Sequence, residues 1–344
     1  MKIDILCNDG SPLGVTMQSL WGEDGRFGVG GAELALLTMC EGWHNKGHQV
    51  ALFNDPSLFD ASPFVQLPIS LFDPQADRDV LIIFRSPNHM AYNAKGFKVW
   101  WSCDQSTVGD FASFASVVQK IVTISPNHTE YFRTMYGIQN AQHIDLPVRF
   151  QDYENHNSIK IPNRCIFTSI PDRGLMQLHS AWPLITREVP DATLVITSDW
   201  RLWDPNLPED VAREYRLRFA RQKGVTYLGA VKRKSLIQEQ LAADFHLYPC
   251  IYDELFCISV AESQAVGAYP ITSNFGSLPT TNMGIRIEGN PYSPQWIEEF
   301  VHETVRLMKN RPLLEKRQEY VMDRARGRFH IDRILEQWEN IFSG

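Results

Sequence analysis

At 344 residues the chain exceeds the size at which one hydrophobic core stops growing, so two domains are expected, and its 44% hydrophobic and 21% charged content is that of a folded globular protein. A formal charge of −7 argues against a broad electrostatic grip on nucleic acid, although local basic patches are compatible with it. No apolar run reaches the ~20 residues of a membrane span, and Asp4 interrupts what would have to be a signal core, so a cytoplasmic location is expected, with peripheral contact at a membrane left open. Six cysteines (Cys7, Cys40, Cys103, Cys165, Cys250, Cys257) form no C-x-x-C pair. Reduced thiols packed as small apolar residues are expected, with no disulfide framework and no metal site. His44 and His48, separated by Gly47, read as a helix end.

Short apolar strands alternate with helical patterns along the whole chain. In the first half strands are expected at Lys2–Cys7, Val50–Phe53, Val80–Phe84, Lys98–Ser102 and Ile121–Ser125, with helices near Ala32–Asn45, Thr107–Val118 and Asn127–Met135. The polar, aperiodic stretch 151–163 is the candidate linker. The pattern then restarts, with strands at Cys165–Ser169, Ala192–Thr197, Val225–Leu228, Phe245–Tyr248, Tyr269–Thr272 and Ile285–Glu288. Such βαβ alternation predicts two α/β, Rossmann-like domains facing each other across a cleft, with ligands outside the carboxyl ends of the strands. The expected division is 1–150 with the final helix 329–344, and 164–328. The segment Phe329 to Phe342 has apolar residues at helical spacing.

Several stretches carry candidate chemistry. Phe27-Gly-Val-Gly-Gly-Ala-Glu33 opens the first long helix, where Gly30 and Gly31 would let the backbone approach a ligand. A dinucleotide fingerprint competes, but these glycines lie some twenty residues beyond the first strand, and Glu33 stands where a third glycine belongs. Val99-Trp-Trp-Ser-Cys-Asp104 ends a strand, so Asp104 is a candidate to orient a hydroxyl, or else a helix cap. Arg85, Asn88 and His89 follow another strand end. After the first strand of the second half comes Ser169-Ile-Pro-Asp-Arg173-Gly-Leu, whose arginine fork suits phosphate oxygens. Lys232, Arg233 and Lys234 are further cations in reach of that role. Glu209 to Lys223 reads as a basic helix with a solvated face.

Tyr252-Asp-Glu-Leu-Phe-Cys-Ile-Ser-Val-Ala-Glu262 is the most informative run. It sets Glu254 and Glu262 eight residues apart across the start of an apolar helix, about 12 Å if the whole run is helical. The opening N–H groups, at Phe256, Cys257 and Ile258, would favour a diphosphate between them. Glu254 would then accept from sugar hydroxyls and Glu262 from a ribose, whereas two glutamates that merely solvate a buried helix are the plainer alternative.

With its flanking strands, this run resembles the donor-site signature of the retaining glycosyltransferases of family 4 (glycosyl transferases group 1), which have the GT-B fold. The Gly-Gly-Ala-Glu loop and the Pro-Asp-Arg-Gly-Leu run resemble that family too. The resemblance implies a GT-B architecture whose last helix crosses back to the first domain. It implies metal-independent transfer of a hexosyl or pentosyl group, with retention, from a nucleotide sugar that is UDP- or GDP-linked, and no other cofactor. Catalytic roles fall to Glu254, Arg173 and Asp104, and donor binding to Gly30, Gly31, Ser169, Arg173, Glu254, Phe256, Cys257, Ile258 and Glu262. The leaving phosphate is thought to take the acceptor proton in such enzymes, so no base is assigned. Three positions depart from the family pattern. Thr168 replaces an arginine, Cys103 replaces a histidine, and Leu146-Pro-Val-Arg-Phe150 replaces the usual Asn-Gly crossing. A glycan, lipid or small-molecule acceptor is compatible, and a modified nucleobase in DNA is left open. The rival readings are a noncatalytic nucleotide-sugar or glycan binder, a GT-B epimerase or phosphorylase, and, more distantly, a nicotinamide oxidoreductase.

Overall fold

The computed structural model describes residues 1–7, 14–56, 62–106, 108–154, 156, 159–202, 204 and 206–343. Two compact units emerge. The first comprises Met1–Asp24, Val29–Pro147 and Ile331–Gly344, the second Gly25–Gly28 and Val148–His330. Each is built on one wholly parallel sheet.

The first sheet contains β1 (Lys2–Leu6), β2 (Gln49–Phe53), β3 (Val65–Leu67), β4 (Val80–Phe84), β5 (Phe97–Trp101), β6 (Lys120–Thr123) and β7 (Ala141–His143), in the order β3-β2-β1-β4-β5-β6-β7. The second contains β8 (Arg164–Thr168), β9 (Thr193–Thr197), β10 (Val225–Tyr227), β11 (Phe245–Tyr248), β12 (Tyr269–Ser273) and β13 (Ile285–Ile287), in the order β10-β9-β8-β11-β12-β13. In both, the first strand lies beside the fourth, and the chain leaves these two strands toward opposite faces. That reversal is where doubly wound sheets open a crevice for ligands. It falls between β1 and β4 in one sheet and between β8 and β11 in the other.

The central strands are continuous apolar runs because helices cover both of their faces, as Val80–Phe84 illustrates with every residue buried. Each strand expected from sequence is present to within two residues. The three-residue edge strands β3 and β7 were not expected, since Val65 is exposed and Gln142 and His143 face solvent, leaving no apolar run to read. The expected helix at 107–118 is only Phe111–Phe114, with residue 107 outside the described residues. Gly109, at φ +91°, precedes it, and the Asp110 carboxylate caps it by accepting from Ser113 N at 3.1 Å. Helix 209–223 contracts to Arg213–Phe219.

The helix Ile331–Ser343 belongs to the first unit and buries Ile334, Leu335, Trp338 and Ile341. Trp338 packs edge-on to Trp43 at 5.4 Å and to Trp101 at 5.2 Å. Gly42 lets it come close, since a Cβ there would lie 3.1 Å from Leu335 Cδ1. All six cysteines are free thiols, five of them buried.

Candidate functional site

In the second unit the β8/β11 reversal gathers Arg173 and Glu254. A 3-10 turn, Pro171–Arg173, follows β8 and ends at Gly174 with φ +117°. A Cβ on Gly174 would sit 2.1 Å from the Pro249 carbonyl oxygen, so only glycine lets this turn lie against the chain leaving β11. Arg173 Nη1 then donates to Glu254 Oε1 at 3.0 Å, and its guanidinium stands 4.2 Å from the Tyr252 ring centroid. The Tyr248 hydroxyl, on the last residue of β11, donates to the same carboxylate oxygen, and Ser169 Oγ lies 3.3 Å from that hydroxyl. Burial, reinforced by the Glu254 charge, raises the Tyr248 pKa and keeps the phenol a donor. Burial opposes the charge on Arg173, but the Glu254 carboxylate and nearby phenols and thiol outweigh it and raise the arginine pKa.

Glu254 is fixed through its backbone as well. Its N–H bonds Tyr252 O at 2.9 Å and its carbonyl accepts from Ser277 N at 2.7 Å. Gly276, at φ +58°, permits that contact, because a Cβ would fall 2.5 Å from Glu254 N. The acid is therefore a rigid, nearly buried group, while Arg173 keeps about a fifth of its side chain exposed.

The helix after β11 starts later than its sequence suggests. It spans Ile258–Ala265, preceded by Cys257 in the left-handed region at φ +69°. Phe256 and Cys257 thus lie before the helix, which corrects the expectation that their amides open it, while Glu254 precedes the helix as expected. Phe256 packs edge-on to Phe329 at 5.6 Å, and burial pushes the Cys257 thiol well up. Val260 and Ala261 N–H already bond Cys257 O, at 3.2 and 3.3 Å. Ile258 and Ser259 supply the opening amides of the turn.

Glu262 sits in a buried ion cluster. Arg233 Nη2 donates to Glu262 Oε1 at 2.9 Å and Arg233 Nε to Asp152 Oδ2 at 2.6 Å, while Arg149 Nε lies 3.2 Å from both Asp152 oxygens. No side chain of the four is more than 6% exposed. Of the three cations in that stretch, Lys232 and Lys234 face solvent and Arg233 turns inward. Asp152, within the expected linker, was not singled out from sequence. It belongs to the 3-10 turn Phe150–Tyr153, which is tied to this cluster, and Tyr153 OH donates to Gln240 Oε1 at 2.7 Å.

Neither a protein-family model nor a curated protein matches the chain. Solved structures do. A glycosyltransferase from Rickettsia africae ESF-5 matches with a TM-score of 0.77 at 14% identity, over 99% of this chain and 97% of that one. Anabaena Alr3699/HepE in complex with UDP matches with a TM-score of 0.73 at 15% identity, over 100% of both chains, and its UDP-glucose complex with 0.71 at 16%, over 100% and 99%. The fold is GT-B. At these identities the likeness is one of fold.

The remaining expected residues lie in the first unit of this GT-B chain. Gly30 is extended at φ −65° and caps the helix Gly31–Asn45, and its missing side chain makes room for Glu33, whose Oε2 would be 2.4 Å from a Cβ. Asp104 follows β5. Its Oδ1 accepts from Gln105 N at 2.7 Å, and its carbonyl accepts from Ser102 Oγ and His128 Nε2, both at 2.9 Å. Thus Asp104 and the Arg173–Glu254 pair belong to different units. Among the described residues, no group of three or more His, Cys, Asp or Glu side chains is gathered as a metal would require, and no helix is long and apolar enough to cross a membrane.

His128, which supports the Asp104 loop, and His246 on β11 are buried histidines, and burial lowers their pKa values to about 4 and about 3. The unfolded chain takes up protons on these rings from about pH 6.5 downward, whereas the folded chain resists until about 4 and 3. Stability is therefore fully present above the unfolded value and is lost as pH falls. About 2 to 3 kcal/mol per histidine should be gone by about pH 4.5, from 1.36 kcal/mol per pH unit. Melting temperature read between about pH 7.5 and 4.5 should drop steeply, and a flat profile would show that these rings are solvated.

Proposed function

We propose that this chain is a glycosyltransferase that moves a hexosyl or pentosyl group from a nucleotide sugar, UDP- or GDP-linked, to an acceptor hydroxyl, with retention at the anomeric carbon and without a metal. The observation that carries it is the Arg173–Glu254 pair, held beside Tyr248 and Tyr252 at the strand reversal of the second sheet. Support comes from the fold shared with glycosyltransferase structures, one of them in complex with UDP and with UDP-glucose.

The chemistry required is stabilisation of a leaving diphosphate while positive charge grows at the anomeric carbon. Arg173 is the fixed cation for the diphosphate. A guanidinium has five N–H donors, so one edge can stay on Glu254 while another meets phosphate. The Ile258 and Ser259 amides add N–H donors to the same anion. Glu254 faces the transferred sugar, accepting from its hydroxyls and favouring the developing cation. Glu262 is assigned to the ribose, with Arg233 holding its carboxylate, and Asp104 to an acceptor or sugar hydroxyl. Because Glu254 and Arg173 are already locked together, little reorganisation remains for the transition state.

Thermal shift against UDP-, GDP-, ADP- and dTDP-sugars tests the binding half of this reading. One donor at about 100 times its Kd should stabilise the fold by ~2.7 kcal/mol. No shift with any of the four would remove the basis of the assignment.

A further inference from the structure

At the carboxyl ends of β9 and β10, within the second unit, stand two arginines of different standing. Arg201 is occupied by Asp199, to whose fully buried carboxylate it donates from Nε at 3.1 and 3.2 Å and from Nη2 at 2.7 Å. Arg216, half-buried on the helix Arg213–Phe219, has its Nε buried with no hydrogen-bond partner among the described residues. Its guanidinium stands 5.7 Å from the Tyr227 ring centroid and reaches Gly229, at φ +76°, where a Cβ would lie 3.1 Å from Nη2 and 3.3 Å from Asp199 Oδ2. Glycine there makes room for both side chains. Ser198 is fully buried and its Oγ also lacks a partner, while its carbonyl accepts from Tyr227 OH at 2.9 Å. Buried polar groups left open in this way call for an explanation, and a ligand supplies one.

We propose that Arg216 selects guanine, so that the donor is GDP-linked. This rests on the glycosyltransferase reading and deepens it. In the order β10-β9-β8-β11 the end of β10 is two strands, about 10 Å, from that of β8, where Arg173 is assigned to the diphosphate. Segment 228–232 leads from β10 into the helix Arg233–Ala242, and Arg233 holds Glu262, assigned to the ribose. On that reading the base falls beside Gly229 and Arg216. With Nε buried, the guanidinium presents Nη1 and Nη2 as a two-pronged donor. Guanine offers two adjacent acceptors, O6 and N7, which such a fork meets together, whereas adenine sets an amino donor beside N7. Uracil has no second acceptor adjacent to O4.

The test is calorimetry of the full chain with GDP, UDP, ADP, inosine diphosphate and 7-deazaguanosine diphosphate. GDP should bind about ten-fold or more tighter than UDP or ADP, the scale of one bidentate arginine–guanine contact. Inosine diphosphate keeps O6 and N7 and should match GDP, while the 7-deaza analogue, which lacks the N7 acceptor, should bind about as weakly as UDP. Arg216→Met should weaken GDP about ten-fold and leave UDP within about two-fold. Arg216→Lys keeps the charge but loses the fork, so it should not restore GDP affinity. If Arg216→Met does not fold, the 7-deaza comparison on the parent protein decides the matter. UDP or ADP binding as tightly as GDP, a 7-deaza analogue equal to GDP, equal losses for GDP and UDP in Arg216→Met, or full GDP affinity in Arg216→Lys would each overturn this inference while leaving the donor reading intact. Failure to bind any of the five nucleotides would count against the donor reading and take the inference with it.

Discussion

Replacing Arg173 by alanine should lower kcat by at least about 100-fold, the scale for removing one preorganised charge stabiliser. The side chain is held by the Glu254 carboxylate and the Tyr252 ring, so its charge is in place before any ligand arrives. Thr168 stands where the resemblance would put a second arginine, so on the proposed reading Arg173 carries most of the phosphate charge. The substitution also strands the Glu254 carboxylate, which would lower stability. Arg173→Lys separates the two effects. It retains a cation near Glu254 but loses the two-pronged geometry, so its melting temperature should stay near that of the parent while its kcat stays low. Near-normal turnover in folded Arg173→Ala would transfer the role to another cation.

Arg233→Met should be the most destabilising single change in the candidate site. It leaves Asp152 and Glu262 buried with part of their compensation gone, and breaking a buried pair in this way costs about 3–5 kcal/mol. Denaturant unfolding measures that loss directly. Arg233 also fixes the position of Glu262, so nucleotide affinity, measured cold where the variant is folded, should fall as well. A well-folded Arg233→Met with parental nucleotide affinity would mean that the cluster neither holds the turn at Asp152 in place nor orients Glu262.

The strands were legible because parallel strands covered on both sides must be continuous apolar runs, as Val80–Phe84 and Phe245–Tyr248 are. Arg173, Glu254 and Glu262 were legible because each follows such a run at a recognisable distance. Their partners were not. Asp152 is a single buried acid in a polar stretch, with no periodicity to mark it, and Arg233 differs from Lys232 and Lys234 only in the direction its helix turns it. The start of the helix after β11 was misplaced by two residues. Cys257 occupies a left-handed conformation that nothing in a cysteine announces, and that turn separates Glu254 from the helix carrying Glu262.

The most direct measurement is release of nucleoside diphosphate from the nucleotide sugar that gives the largest thermal shift, with the parent protein and Glu254→Gln side by side. The account predicts saturable release above background by the parent, rising when an acceptor sugar is added. In Glu254→Gln, release should fall at least about 100-fold while nucleoside diphosphate affinity stays nearly constant, because the amide keeps the shape but cannot favour the cation at the anomeric carbon. A parent protein that binds the donor yet releases no diphosphate above background, with or without acceptors, would contradict it and mark the chain as a binding protein on a GT-B fold.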